Sequence, residues 1–171
     1  MNKQNIILIG MPGAGKSSVG VILAKVLGYE FIDTDLVIQH REKRLLREII
    51  ADEGNEGFLA IENEVNATLE ADKSVIAPGG SAIYGKEAME HFKEIGTIVY
   101  LKLSYEDLAK RLGNLKGRGV VLKEGQTLKD LYDERSKLYE QYAEITVDES
   151  GRDIQGTILA LSLIHISEPT R

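Results

Sequence analysis

Short apolar runs alternate along this chain with longer stretches in which apolar residues return every three or four positions. Asn5–Ile9 is short, apolar and rich in β-branched residues, as a buried strand should be. Val19, Ile22, Leu23, Val26 and Leu27 then repeat at helical spacing, and Gly28 follows as a stop. The same alternation predicts strands at Tyr29–Asp33, Ser74–Ala77, Thr97–Leu103 and Glu144–Asp148. Helices are predicted over Leu36–Asp52, with the pairs Leu45-Leu46 and Ile49-Ile50, and over Phe58–Ala71, through Phe58, Ile61, Val65 and Leu69. Two further helices open on capping-box-like starts: Ser104-x-x-Asp107 for Ser104–Leu112, and Thr127-x-x-Asp130 for Thr127–Ala143. Strands alternating with helices imply an α/β domain, a parallel sheet covered on both faces. Gly113–Gly125, rich in Gly and basic residues between two helices, is a candidate mobile lid.

Between the first strand and first helix lies Gly10-Met-Pro-Gly-Ala-Gly-Lys-Ser17, a complete G-x-x-x-x-G-K-[ST] phosphate-binding loop in the context that confirms it. Glycines let backbone N–H groups converge on phosphate oxygens, and the following helix turns its positive end to the anion. Lys16 is placed to reach the β- and γ-phosphates, and Ser17 to put its hydroxyl on Mg²⁺.

Composition narrows the partners. The chain has 171 residues, enough for one domain with a sizeable core, and its 43% hydrophobic content is ordinary for a globular protein. A net charge of −6 argues against general nucleic-acid or anionic-membrane binding, so a polyanion must be held by local basic groups. Absence of cysteine excludes disulfides and thiolate metal sites. The opening residues lead straight into the first strand, and no apolar run approaches a membrane span, so a cytoplasmic monomeric enzyme with a small-molecule substrate is expected. Residues 161–171 (LSLIHISEPTR) resemble the in-frame translation of a sequencing-library adapter. The expected organisation is therefore a single kinase domain over residues 1–160, its lid at about 113–125, and a non-native tail that leaves His165 out of any site.

The metal-side acids come from an unusual place. The third and fourth strands end without a carboxylate, whereas the second ends in Asp33-Thr34-Asp35. Carboxylates at the C-terminal edge of such a strand face the ligand crevice of an α/β sheet. Asp33 is a candidate to orient Mg²⁺ through water, and Asp35 to accept a proton from an attacking hydroxyl. The competing reading makes Asp35 a helix N-cap.

With the loop, the Asp-x-Asp pair, a Gly-Gly turn and spaced arginines together, residues 5 to 150 resemble the shikimate kinase family. The resemblance implies a three-layer P-loop fold with a five-stranded parallel sheet in the order 2-3-1-4-5. It also implies ATP and Mg²⁺, and transfer of a phosphoryl group to the 3-hydroxyl of shikimate. Gly10, Gly13, Gly15, Lys16 and Ser17 match the ATP loop, with Ala14 and Ser18 completing its contacts. Asp33 matches the metal-side acid and Asp35 the acid that binds substrate hydroxyls. Gly79 and Gly80 match two of three consecutive substrate-facing glycines, Ser81 standing at the third. Arg118 matches the lid arginine and Arg111 one that lines the adenine. Arg135, followed by Tyr139, matches an arginine that grips the substrate carboxylate. Lys16, Asp35 and Arg118 are the expected catalytic set.

The departures concern the acceptor. The family's Phe-Arg-x-x-Glu reads Phe58-Leu59-Ala60-Ile61-Glu62 here, so Leu59 replaces an arginine that shares the carboxylate. Ile50 stands where an aromatic often lines the substrate, and Gly54-Asn55 replaces Gly-Glu. The lid reads Arg118-Gly119-Val120 where Arg-Pro-Leu is usual, and Gln141 replaces an acid. A hydrogen bond to a charged group contributes roughly 1.5–3 kcal/mol, so losing that arginine costs about 10- to 150-fold in affinity.

Other readings remain open. The acceptor is either shikimate or another small molecule, a polyol or a nucleoside monophosphate, and a non-catalytic nucleotide-binding regulator is a third possibility. Retention of Lys16, Ser17, Asp33 and Asp35 argues against the regulator. A regulatory GTPase is excluded, since Asp148-Glu-Ser-Gly151 comes too late in the chain and no guanine-reading segment is present. Arg135 has acids nearby on its helix and competes with a structural ion-pair reading. Arg41–Arg44 reads as a solvated face, His40 and His91 as exposed, and Tyr139 and Tyr142 as core.

Overall fold

A computed structural model describes residues 4–113, 125–150 and 153–167. Its five parallel strands are β1 (Asn5–Ile9), β2 (Glu30–Asp33), β3 (Ser74–Ala77), β4 (Gly96–Lys102) and β5 (Ile145–Asp148), in the order β2-β3-β1-β4-β5. The expected order holds. Every residue of the central β1 is buried, whereas edge strands β2 and β5 are buried only in part. A central parallel strand is covered on both faces, which is why Asn5–Ile9 reads as a continuous apolar run without alternation.

The helices are α1 (Lys16–Leu27), α2 (Thr34–Glu42), α3 (Leu46–Ala67), α4 (Lys86–Ile95), α5 (Tyr105–Gly113), α6 (Leu128–Tyr142) and α7 (Ile154–Ser167). Successive β1 side chains point to opposite faces and so build two cores. Ile7 and Ile9 join Ile76, Ile98, Tyr100, Met89, Phe92 and Leu131. Ile6 and Leu8 join Val75, Val99, Leu101, Val19, Leu23 and Ile158. Leu161, the first residue of the segment set apart by its sequence, is buried in this second core, inside α7.

Three expectations need correction. The helix expected over Leu36–Asp52 is two helices: α2 starts earlier, at Thr34, and ends at Glu42, where the cap residue Lys43 leaves the helical region with a φ of 56°. The separate helix expected from Phe58 is the second half of α3, which bends at Gly54 (φ 75°, ψ 174°). Gly54 adopts this conformation without the penalty a side chain would bring. Helix α4 went unread. Its buried face of Ala88, Met89 and Phe92 carries the i, i+1, i+4 spacing of an amphipathic helix. The capping starts of α5 and α6 are present: Asp107 N donates to Ser104 Oγ (3.2 Å), and Thr127 and Asp130 cap each other reciprocally.

Candidate active site

Parallel strands bring their C-terminal ends to one edge of the sheet, and the segments leaving β1, β2, β3 and β5 there build the site. The donor side is local. Gly10, Gly13 and Gly15 have φ values of 155°, 91° and 79°, which L side chains rarely adopt. At Gly10 a Cβ would also lie 2.8 Å from Leu101 O. Ala14 is fully buried and its N–H donates to Met11 O (3.0 Å), closing the turn. Lys16 begins α1, and Ser17 and Ser18 are exposed in its first turn.

Lys16 folds back on the backbone of its own loop. Its Nζ donates to Gly10 O (2.8 Å) and Met11 O (3.0 Å), with the side chain buried. Burial lowers its pKa to about 8; Asp35 opposes that fall, Arg135 adds to it, and Glu149 and Asp33 oppose it more weakly. The ammonium therefore feels both carboxylates leaving β2. Arg111 donates from Nη1 to Gly13 O (2.9 Å), so it sits on the phosphate loop itself. Arg118 lies outside the described residues, as does most of the expected lid.

The acceptor side is assembled from distant segments. Asp33, not Asp35, caps α2: its Oδ1 accepts the Asp35 N–H (2.9 Å). The N-cap reading of Asp35 is thereby overturned, and its carboxylate is released for the crevice. Burial, then the Asp33 charge, pushes the Asp35 pKa up to about 6, against the pull of Lys16. A Cβ on Gly79 would lie 3.0 Å from Asp35 Oδ1 and 3.1 Å from Glu62 Oε2, so two carboxylates face the bare side of one glycine. At Gly80 a Cβ would lie 2.7 Å from Pro12 of the phosphate loop and 2.9 Å from Arg135 Nη1. This backbone has no room for a side chain between donor and acceptor halves.

Arg135 is 1% exposed, its guanidinium lies 5.5 Å from the Tyr84 ring, and its Nε has no hydrogen-bond partner among the described residues. It does not pair with Asp130 or Asp133, which cap α6 and bond Lys129 respectively. The guanidinium is thus buried beside Gly80. Tyr139 is core as expected, and its hydroxyl donates to Gly80 O (2.7 Å), steadying the same turn.

Glu62 was not singled out as a site residue. It is 1% exposed, accepts from Ser81 Oγ at Oε1 (2.7 Å), and leaves Oε2 without a hydrogen-bond partner among the described residues. Burial raises its pKa to about 7; Ser81 opposes this, Asp35 adds to it, and Arg135 opposes it. An acid at the apolar spacing of Phe58, Ile61 and Val65 was the available signal. Leu59 packs against the apolar cluster of Ile38, Ile49, Phe58 and Val65, as does Ile50. His91, expected to be exposed, is half-buried with Nε2 2.6 Å from Leu69 O, while His40 is exposed.

No cluster of three or more His, Cys, Asp or Glu suited to a metal occurs among the described residues. A divalent cation held by Ser17 and by water on Asp33 would thus need nucleotide phosphates to complete its shell, which suits Mg²⁺. No helix among them is long and apolar enough to cross a membrane.

Comparison with known proteins points to one family. The family model for shikimate kinase matches residues 12–162. Shikimate kinase 2 of Yersinia enterocolitica is 34% identical over 154 residues, covering 85% of this chain and 86% of that protein. The structure of Acinetobacter baumannii shikimate kinase in complex with shikimate superposes with a TM-score of 0.85 at 31% identity, over 98% of this chain and 95% of that one. The shikimate kinase of Aquifex aeolicus gives 0.77 at 30% identity, covering 93% and 94%. A thymidylate kinase from Candida albicans, 16% identical with a TM-score of 0.63, shares the fold alone.

Proposed function

The chain belongs to the shikimate kinase family, and from that membership we propose that it transfers the γ-phosphoryl group of ATP to a hydroxyl of shikimate. The observation that carries the proposal is the convergence of Asp35, Glu62 and Arg135 on Gly79–Gly80, directly against Pro12 of the phosphate loop. An acceptor lying on that turn meets acids for its hydroxyls and a buried guanidinium for its carboxylate. Its reactive oxygen faces the terminal phosphate.

Lys16 leaves the carbonyls of Gly10 and Met11 to take the β- and γ-phosphate oxygens. Ser17, and Asp33 through water, are the residues that would hold Mg²⁺, which would supply neutralisation of charge on those phosphates. Asp35 accepts the proton of the acceptor hydroxyl as its oxygen bonds to the γ-phosphorus and the bond to the β–γ bridging oxygen breaks, releasing ADP. Arg118 is proposed from its sequence position to close over the triphosphate from the lid.

Leu59 defines the second reading. It stands at the family's arginine position and packs into an apolar cluster, leaving Arg135 as the carboxylate's cation. That exchange favours a related hydroxylated metabolite with a weaker carboxylate requirement. The deciding assay measures ADP release with shikimate, a set of polyols and nucleoside monophosphates, each against a control without acceptor. Turnover with shikimate well above the others is expected. Turnover with another acceptor alone would transfer the function to that substrate, and ATP binding without turnover on any would leave a regulator.

A further inference from the structure

Glu149 follows the last residue of β5 and has no part in the proposed phosphoryl transfer. Its backbone N–H donates to Lys102 O (2.8 Å), adding one rung beyond the β4–β5 ladder and fixing the residue at the sheet's ligand edge. The side chain turns inward: the residue is 5% exposed, and its Oε2 is buried without a hydrogen-bond partner among the described residues. The cations acting on it are Arg111, which sits on Gly13 O, and Lys16, which is folded onto Gly10 O and Met11 O. Asp148 is the neighbouring acid that acts on it. Lys16 belongs to the loop that takes the nucleotide's phosphates, and Arg111, on α5, is bonded to that loop.

A buried anion normally has a full set of donors, because stripping water from it without replacement is costly. Glu149 instead has an open oxygen beside the two cations of a phosphate site. We propose that Glu149 is an internal anion of the donor site: it balances Lys16 and Arg111 while the loop is empty and, once phosphates arrive, repels them and so sets ATP and ADP affinity lower than the loop alone would give. Burial, the largest influence, holds this carboxyl up to about 7, opposed by Arg111 and Lys16, so bringing phosphates close is costly for its ionised form. The role is one of positioning and field, exerted through Lys16 and Arg111. It rests on the reading that the loop binds ATP.

The test is calorimetric titration of Glu149→Gln, Glu149→Asp and the unaltered chain with ATP, ADP and adenosine. Because this carboxyl can take up a proton instead of repelling phosphate, removing its charge should tighten ATP and ADP binding by up to about twofold at pH 7 and up to about tenfold at pH 8. Adenosine should be unaffected, Glu149→Asp should stay near the unaltered chain, and KM for ATP should fall while that for shikimate holds. Unchanged or weaker ATP binding by folded Glu149→Gln overturns the proposal. Weaker binding of adenosine as well would make Glu149 a nucleoside ligand instead. In the unaltered chain, the ¹³C carboxyl resonance of Glu149 should move on adding tripolyphosphate; a stationary resonance overturns the proposal even if the variants fail to fold. Failure of the unaltered chain to bind ATP would instead sink the functional reading.

Discussion

The two halves of the active site are built by different means. The donor half is one contiguous loop, Gly10–Ser17, whose geometry follows from glycines at positive φ and from a helix that starts at Lys16. The acceptor half draws Asp35 from α2, Glu62 from α3, Gly79–Gly80 from the turn after β3, and Arg135 from α6. A contiguous site tolerates little change in letters but depends weakly on the rest of the fold. A dispersed site depends on packing, and an exchange such as the one expected at Leu59 would alter it without losing the architecture.

That contrast can be tested by breaking each half alone. Lys16→Ala should lower turnover by at least about 100-fold, in line with removal of a preorganised donor to developing charge. Asp35→Asn should lower turnover more than tenfold, about the scale of general-base removal, while ATP affinity stays within about twofold. An unchanged kcat in Asp35→Asn, measured by coupled ADP release, would remove it from the chemistry. Gly80→Ala sets a methyl between Pro12 and Arg135, both closer than a Cβ contact allows. The strain of overpacking is roughly 1–3 kcal/mol, so shikimate KM should rise about tenfold, with Asp35–Lys16 proximity preserved. If ATP KM rises equally, the two halves are not separable at this turn.

Leu59→Arg restores a second cation on the acceptor side. Shikimate binding should tighten by up to about tenfold, the lower bound for a charged hydrogen bond, because leaving the Ile38–Ile49–Phe58–Val65 cluster offsets part of the gain. Weaker shikimate binding in a folded Leu59→Arg protein would show that Leu59 does not border the carboxylate. The smallest effect is on pH. Asp35 must be ionised to take a proton, so kcat/KM should fall as pH drops through about 6. Lys16 must be protonated to hold phosphates, so it should also fall as pH rises through about 8. A profile flat between pH 5 and 9 would contradict both assignments.

Much of the donor half was legible because its chemistry is written in consecutive residues. Asp33 and Asp35 were found from their strand-end position, but their division of labour was not. Which of the two caps α2 depends on the backbone direction leaving β2, and Asp33 accepts the Asp35 N–H. Glu62 was hidden on a helix read for its apolar stripe, and Glu149 behind a motif match that failed. Helix α4 was missed although its buried face is regular, and the break at Lys43 carries no Gly or Pro to announce it.

Apolar periodicity and the glycine-rich loop determined the parallel α/β layout and the phosphate site, since both rest on neighbours within a few residues of one another. Only the tertiary structure decided the state of the buried charges. Asp35 and Glu62 are far apart in the chain, and both carboxyls are shifted by desolvation and by neighbouring charges, neither of which exists before the strands and helices are packed together.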